Sequence, residues 1–126
     1  VLTNISLART WAIANGSCGV LVPLLSRETC CGHITLVGAK LLGLPLATTR
    51  THAAHEYVEG RAAVLLCEPG DVAEFTLHAQ RMIDDAQIMR SLAKSQVARE
   101  TAIHDRKHWA SCLDAFIECQ VVGSVE

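Results

Sequence analysis

Residues 36–50 read LVGAKLLGLPLATTR. The run is apolar nearly throughout, with Gly43 and Pro45 at its centre and Thr48, Thr49 and Arg50 at its end. A single long helix is ruled out by Pro45, whose ring removes an N–H and clashes with the carbonyl four residues back. Gly43 has the backbone freedom with which helices commonly turn at their C-termini. The stretch therefore reads as the end of a helix, a tight corner at Gly43 and a buried strand.

The neighbouring sequence extends this pattern. GVLVPL (19–24) is short, branched and apolar on both faces, as expected of a strand covered on two sides. The loop SRETCCG (26–32) leads into a helical stretch, HITLVGAKLLG (33–43). LPLAT (44–48) is the second strand and AAVLLC (62–67) the third, with a short helix and turn in THAAHEYVEG (51–60). Strands that alternate with helices imply right-handed crossovers and a parallel sheet. The expected fold is α/β: a small parallel β-sheet of about three strands flanked by helices, with a helical C-terminal third.

The flanking helices carry their own signals. Ser6 can cap a helix through LARTWAIAN (7–15) that stops at Gly16, with Leu7, Ala8, Trp11 and Ala14 on one face. Asp71 and Glu74 have capping-box spacing, ahead of a stripe of Val72, Phe75, Ala79 and Met82. Asp84 or Asp85 caps the next helix, with Met89, Leu92, Ala93, Gln96 and Val97 on one side. A last helix begins near His104 or Asp105, its stripe formed by Trp109, Cys112, Leu113, Phe116 and Ile117.

A length of 126 residues suggests one domain, 1–126. Half the residues are hydrophobic and 19% are charged, a globular composition. The net charge of −2 supplies no basic excess to attract nucleic acid or an anionic membrane. Every candidate apolar run is interrupted before the ~18–20 residues of a membrane span. The first residues lack a basic start and a clean apolar core, so no signal peptide is read. Of six cysteines, Cys18 and Cys67 lie in apolar runs and Cys112 and Cys119 at helical spacing, where a free thiol acts as a small hydrophobe. Reduced thiols and a cytoplasmic setting are expected.

Four stretches in order then suggest a family: PLLSRETCCGHITLVGAKLLGLPLATTR (23–50), HEYVEG (55–60), EPGDVAEF (68–75) and a helix ending in MIDD (82–85). Together they resemble the C-terminal part of the nucleotide-sugar-binding lobe of GT-B fold glycosyltransferases of retaining family 4. The resemblance implies half of a Rossmann-like lobe, with a nucleotide sugar as ligand. It implies that the loop 26–32 and the following helix start receive the donor's diphosphate and sugar. The candidate ligand-binding residues are then Glu28, Cys31, Gly32, His33, Ile34 and Thr35, with Thr51 and His52 at the next strand's end. A helix N-terminus suits that role through its unsatisfied N–H groups and positive dipole end.

The family's pattern also has two glutamates eight positions apart, the second gripping the ribose. Their positions fall here on Cys30 and Gly38, and Glu28 is out of register. The family's acceptor lobe and upstream diphosphate-gripping basic residues have no counterpart in the chain. The expectation is a glycosyltransferase-like domain that binds a nucleotide sugar or phosphate weakly and does not catalyse alone, with no catalytic residue and no cofactor. A homodimer is expected to cover the open sheet edge. The alternative is a non-catalytic protein-interaction or oligomerisation module.

Other constellations read as ordinary surface or loop chemistry. Cys30, Cys31 and His33 have no second Cys/His pair at finger spacing, and His52 with His55, or His104 with His108, has no third ligand nearby. No metal is expected. Asp84, Asp85, Arg90, Lys94, Arg99, Glu100, Asp105, Arg106 and Lys107 read as solvated surface. Ser26, Ser91 and Ser111 lack a nucleophile-elbow context, and no glycine-rich phosphate loop occurs.

Overall fold

The computed structural model describes residues 4–103 and 105–122, and for Tyr57 and residues 116–122 the backbone alone. The elements are α1 (Leu7–Asn15), β1 (Val20–Val22), α2 (His33–Leu41), β2 (Leu46–Thr49), α3 (His55–Val58), β3 (Val64–Cys67), α4 (Val72–Asp84), α5 (Ala86–Ser95), α6 (Val97–Ile103) and α7 (Arg106–Val122). The strands form one parallel sheet in the order β1-β2-β3, with Val20 beside Leu46 and Leu46 beside Val64. Chain order is thus sheet order, and α2 and α3 are the two crossovers. The α/β fold, the three-strand parallel sheet and the helical C-terminal third are as the sequence predicts.

The corner at 36–50 is a Schellman turn. The Gly43 N–H donates to Lys40 O at 3.0 Å and the Leu44 N–H to Ala39 O at 2.9 Å, which satisfies carbonyls that a helix end otherwise leaves open. Gly43 has φ +62°, the left-handed region where a Cβ is penalised. Pro45 then turns its carbonyl to the Val20 N–H at 2.9 Å, where the β1–β2 pairing begins. Beyond it, all four residues of β2 are buried. The core gathers Leu36 and Ala39 of α2, Leu44 and Leu46 from the corner, and Ala54 and Val58 around α3. Burying side chains of this kind contributes about 1.5–3 kcal/mol for each leucine or valine.

Several expectations change in detail. β1 is an edge strand with Leu21 exposed, so it is not covered on both sides. α1 is capped by Ser6, whose hydroxyl accepts from Arg9 N at 3.3 Å, yet Leu7 and Ala8 face solvent and only Trp11 and Ala14 are half-buried. The Asp71 carboxylate accepts from Glu74 N at 2.9 Å, but the Asp71 N–H donates to Glu68 O, so the capping box is half made. In α4, Val72 is exposed and the buried face runs from Phe75 through Ala79 to Met82. In the last helix Trp109, Cys112 and Leu113 are exposed, while His104 and the side chains of Phe116 and Ile117 lie outside the described residues.

Two residues read as solvated surface are structural. Glu100 is buried, 1% exposed, and its carboxylate meets Lys40 Nζ at 2.7 Å and Arg61 Nε at 3.8 Å. The pair joins α6 to α2. Arg90 is half-buried and donates to Ser17 O and Asn15 O, both at 2.7 Å, so α5 holds the end of α1. In both cases the partner lies many residues away, and helical periodicity alone carries no trace of it.

Candidate functional site

Open parallel sheets bind ligands beyond the C-terminal ends of their strands. Here three loops leave that edge: 23–32 after β1, 50–54 after β2 and 68–71 after β3. Buried threonines of β2 anchor the first of them. Thr49 Oγ1 accepts from Leu24 N at 2.9 Å and lies 3.0 Å from Leu24 O, and Thr48 Oγ1 donates to Val22 O at 2.9 Å. The His52 N–H donates to Arg27 O and the Arg50 N–H to Cys67 O, both at 2.9 Å. One main-chain bond thus joins the first two loops, and another ties the second to the end of β3.

This lacing shapes a cleft of about 350 Å³ lined by Arg27, Arg50, Thr51, His52, His55, Val58 and Glu59. Charge inside it is balanced. Arg50 pairs with Glu59 and, through Nε at 3.3 Å, with Glu68, and Arg27 pairs with the other oxygen of Glu68. His55 Nδ1 lies 3.8 Å from Glu59. The hydrogen bond to Glu59 raises the Arg50 pKa and keeps the guanidinium cationic. Burial pushes the Cys67 thiol up, with the nearby acids Glu74, Asp71 and Glu68 adding to it, so this cysteine behind the site is a packing residue.

The candidate residues fall into two places. Thr51 and His52 line the cleft. Thr51 is buried and its hydroxyl accepts from Ala54 N at 3.3 Å, which shapes the turn into α3. Glu28, Cys31, Gly32, His33, Ile34 and Thr35 lie in the β1–α2 loop and the first turn of α2, outside the cleft lining. Gly32 is the N-cap at φ +77°, with no side-chain cap, and a Cβ there would meet Val22 Cγ1 at 3.1 Å. The Leu36 N–H donates to Gly32 O at 2.9 Å. Glu28, Cys31 and Ile34 are exposed, and His33 and Thr35 half-buried. Cys30 Sγ lies 3.7 Å from His33 Nε2. Among the described residues no group of three His, Cys, Asp or Glu side chains is placed to hold a metal.

The sequence reading named none of Arg27, Arg50, Glu59 and Glu68 as ligand contacts, and placed His55 in the strand-end loop without making it a candidate. A signal existed for the arginines. Arg50 directly follows β2, and Arg27 sits five residues after Val22, the end of β1, so both occur where an open sheet presents side chains to ligand. Position 38 is also explained. A Cβ there would lie 2.2 Å from Trp11 Cη2, so with α1 docked no glutamate fits.

No family matches the chain, and neither does any curated protein or solved structure. Paired arginine forks beside two imidazoles suit oxyanions: guanidinium groups bind phosphate or carboxylate bidentately.

Proposed function

We propose that the chain is a glycosyltransferase-like donor domain that binds a nucleotide sugar or its phosphates weakly and does not transfer sugar alone. One observation carries the reading: Arg27, Arg50, His52 and His55 converge on a cleft at the C-terminal edge of the parallel sheet. The start of α2 adds backbone N–H groups on the same edge, from the loop that also supplies Arg27. Weak binding follows from the balance of charge. Glu59 and Glu68 already occupy the arginines, so a ligand gains little net attraction. Trp11 against Gly38 removes the place for an acid that would grip a ribose, which argues for recognition through phosphate rather than nucleoside. A reducing, cytoplasmic setting goes with this reading; the five described cysteines are free thiols. Among the described residues no helix is long and apolar enough to cross a membrane.

The test is a titration of the protein with inorganic phosphate and with UDP-, GDP- and ADP-sugars, followed by NMR. Saturable shifts at Arg27, Arg50, His52 and His55 support the reading. Silence at about 10 mM ligand, beyond the millimolar range of weak sites, refutes it.

The second reading, an oligomerisation module, is favoured by the sheet edge. Among the described residues β1 pairs on one side alone, and Leu21 at its centre is 48% exposed. An open apolar edge of this kind promotes pairing with another chain. A homodimer joined at β1 would cover it and is compatible with the cleft, which opens at the strand ends. Sedimentation showing a monomer at high protein concentration removes the dimer and leaves the cleft untouched.

A further inference from the structure

Glu68 stands beside the cleft and pairs with two of the arginines that line it. It stands just after β3 and offers one carboxylate oxygen to each arginine: Oε2 to Arg27 Nη2, and Oε1 to Arg50 Nε at 3.3 Å. The two guanidinium groups come from the loops after β1 and β2, so a single carboxylate ties together the exits of all three strands. A phosphate presents a similar pair of oxygens with greater charge, and guanidinium forks accept either group.

We propose that Glu68 is an internal stand-in for the ligand. Its carboxylate holds the Arg27 and Arg50 forks in the free protein and yields them when a phosphate enters. The inference rests on the phosphate-binding reading above. Displacement is feasible because all three side chains are about half exposed: 52% for Arg27, 45% for Glu68 and 41% for Arg50. Ion pairs at such exposure are held weakly and are screened by salt. Glu59 keeps Arg50 oriented while Glu68 swings away, so the fork is not lost with its stand-in. Phosphate binding is thereby competitive with a group the protein carries. The recognised chemistry is a phosphate, free or as part of a nucleotide.

The test compares the full chain with Glu68→Gln and Glu68→Ala, titrated separately with inorganic phosphate, UDP and UDP-glucose at low salt. The Nε–H signals of Arg27 and Arg50 report occupancy by NMR. Asp114→Asn, the same charge change on exposed α7, controls for net charge. Thermal midpoints verify that both Glu68 variants fold; the Glu68 side chain is half exposed, and two different replacements guard against a local distortion. Both Glu68 variants are expected to bind phosphate about two- to fivefold more tightly than wild type, the range set by an exposed ion pair, with Asp114→Asn unchanged. Binding by the variants with no detectable binding by wild type supports the inference equally. The ligand that responds separates free phosphate from nucleotide as its source. If wild type binds and the Glu68 variants bind equally or less, Glu68 is not a competitor and the inference is overturned while the phosphate reading stands. If no protein binds any of the three ligands, both are overturned.

Discussion

Replacing Glu100 with Gln should be among the most damaging single-atom changes this fold can suffer. The side chains of Lys40 and Glu100 are 4% and 2% exposed and meet at 2.7 Å, with Arg61 on the second carboxylate oxygen at 3.8 Å. Glutamine keeps the shape and removes the charge that balances Lys40. Removing one partner of a buried pair costs about 3–5 kcal/mol, because the remaining charge keeps its desolvation penalty. A chain of 126 residues has roughly 6–19 kcal/mol of total stability. The loss is thus a large share, equivalent to a fall of roughly 10–20 °C in melting temperature for a domain of this size. The assay is urea unfolding with calorimetry on wild type, Glu100→Gln, and the double variant Lys40→Met with Glu100→Leu. The double variant should lose far less than the single one, since two apolar groups leave no charge stranded. The pH dependence has a definite sign. Burial lowers the Lys40 pKa below its ordinary 10.5, outweighing the hydrogen bond and charge of Glu100. Between that lowered value and 10.5 the unfolded chain holds more protons than the native one, so this residue's contribution to stability rises with pH. In Glu100→Gln the value falls further, and the deficit against wild type should narrow as pH climbs towards 10.5. A loss below about 1 kcal/mol, the size of a surface pair, would refute the assignment of a buried lock between α2 and α6.

Other substitutions test the remaining joints. Gly38→Ala should cost about 1–3 kcal/mol, because its Cβ would sit 2.2 Å from the Trp11 ring, and in a Trp109→Phe background Trp11 fluorescence should shift as α1 lifts. Gly43→Ala should cost at least about 1–2 kcal/mol, since φ is +62° and the new Cβ meets Val97 Cγ2 at 2.9 Å; a neutral result in urea unfolding would contradict the Schellman corner. Leu21→Lys should abolish any dimer seen by sedimentation while leaving the unfolding free energy of the monomer within about 0.5 kcal/mol of wild type, as expected at a half-exposed edge position.

The fold was legible because its decisive signals are local. Pro45 two residues after Gly43 separates a helix from a strand whatever lies elsewhere, and the structure places that boundary between Leu41 and Leu46. Asp71 and Ser6 likewise announce helix starts through their own hydrogen-bonding side chains. The exposed faces were less legible because burial depends on neighbours. Leu21 belongs to an apolar run yet is 48% exposed, in a strand that among the described residues pairs on one side alone. Glu100 looks like any charged helix residue, and only the approach of α2 turns it into a buried partner for Lys40. The site shows the same division. Thr51 and His52 were named through the family resemblance and line the cleft, whereas the pairing of Arg27, Arg50 and Glu68 joins residues up to 41 positions apart that nothing in their spacing connects.

We propose that the strand-end cleft is a phosphate site. It is tested most directly by ¹H–¹⁵N NMR of the full chain during titration with inorganic phosphate and then UDP-glucose. Saturable, low-salt-enhanced shifts are expected at Arg27, Arg50, His52 and His55, spreading to Gly32, His33, Ile34 and Thr35 when the ligand carries a diphosphate. Shifts confined to the β1 edge around Leu21, or no shifts at about 10 mM of either ligand, would contradict it.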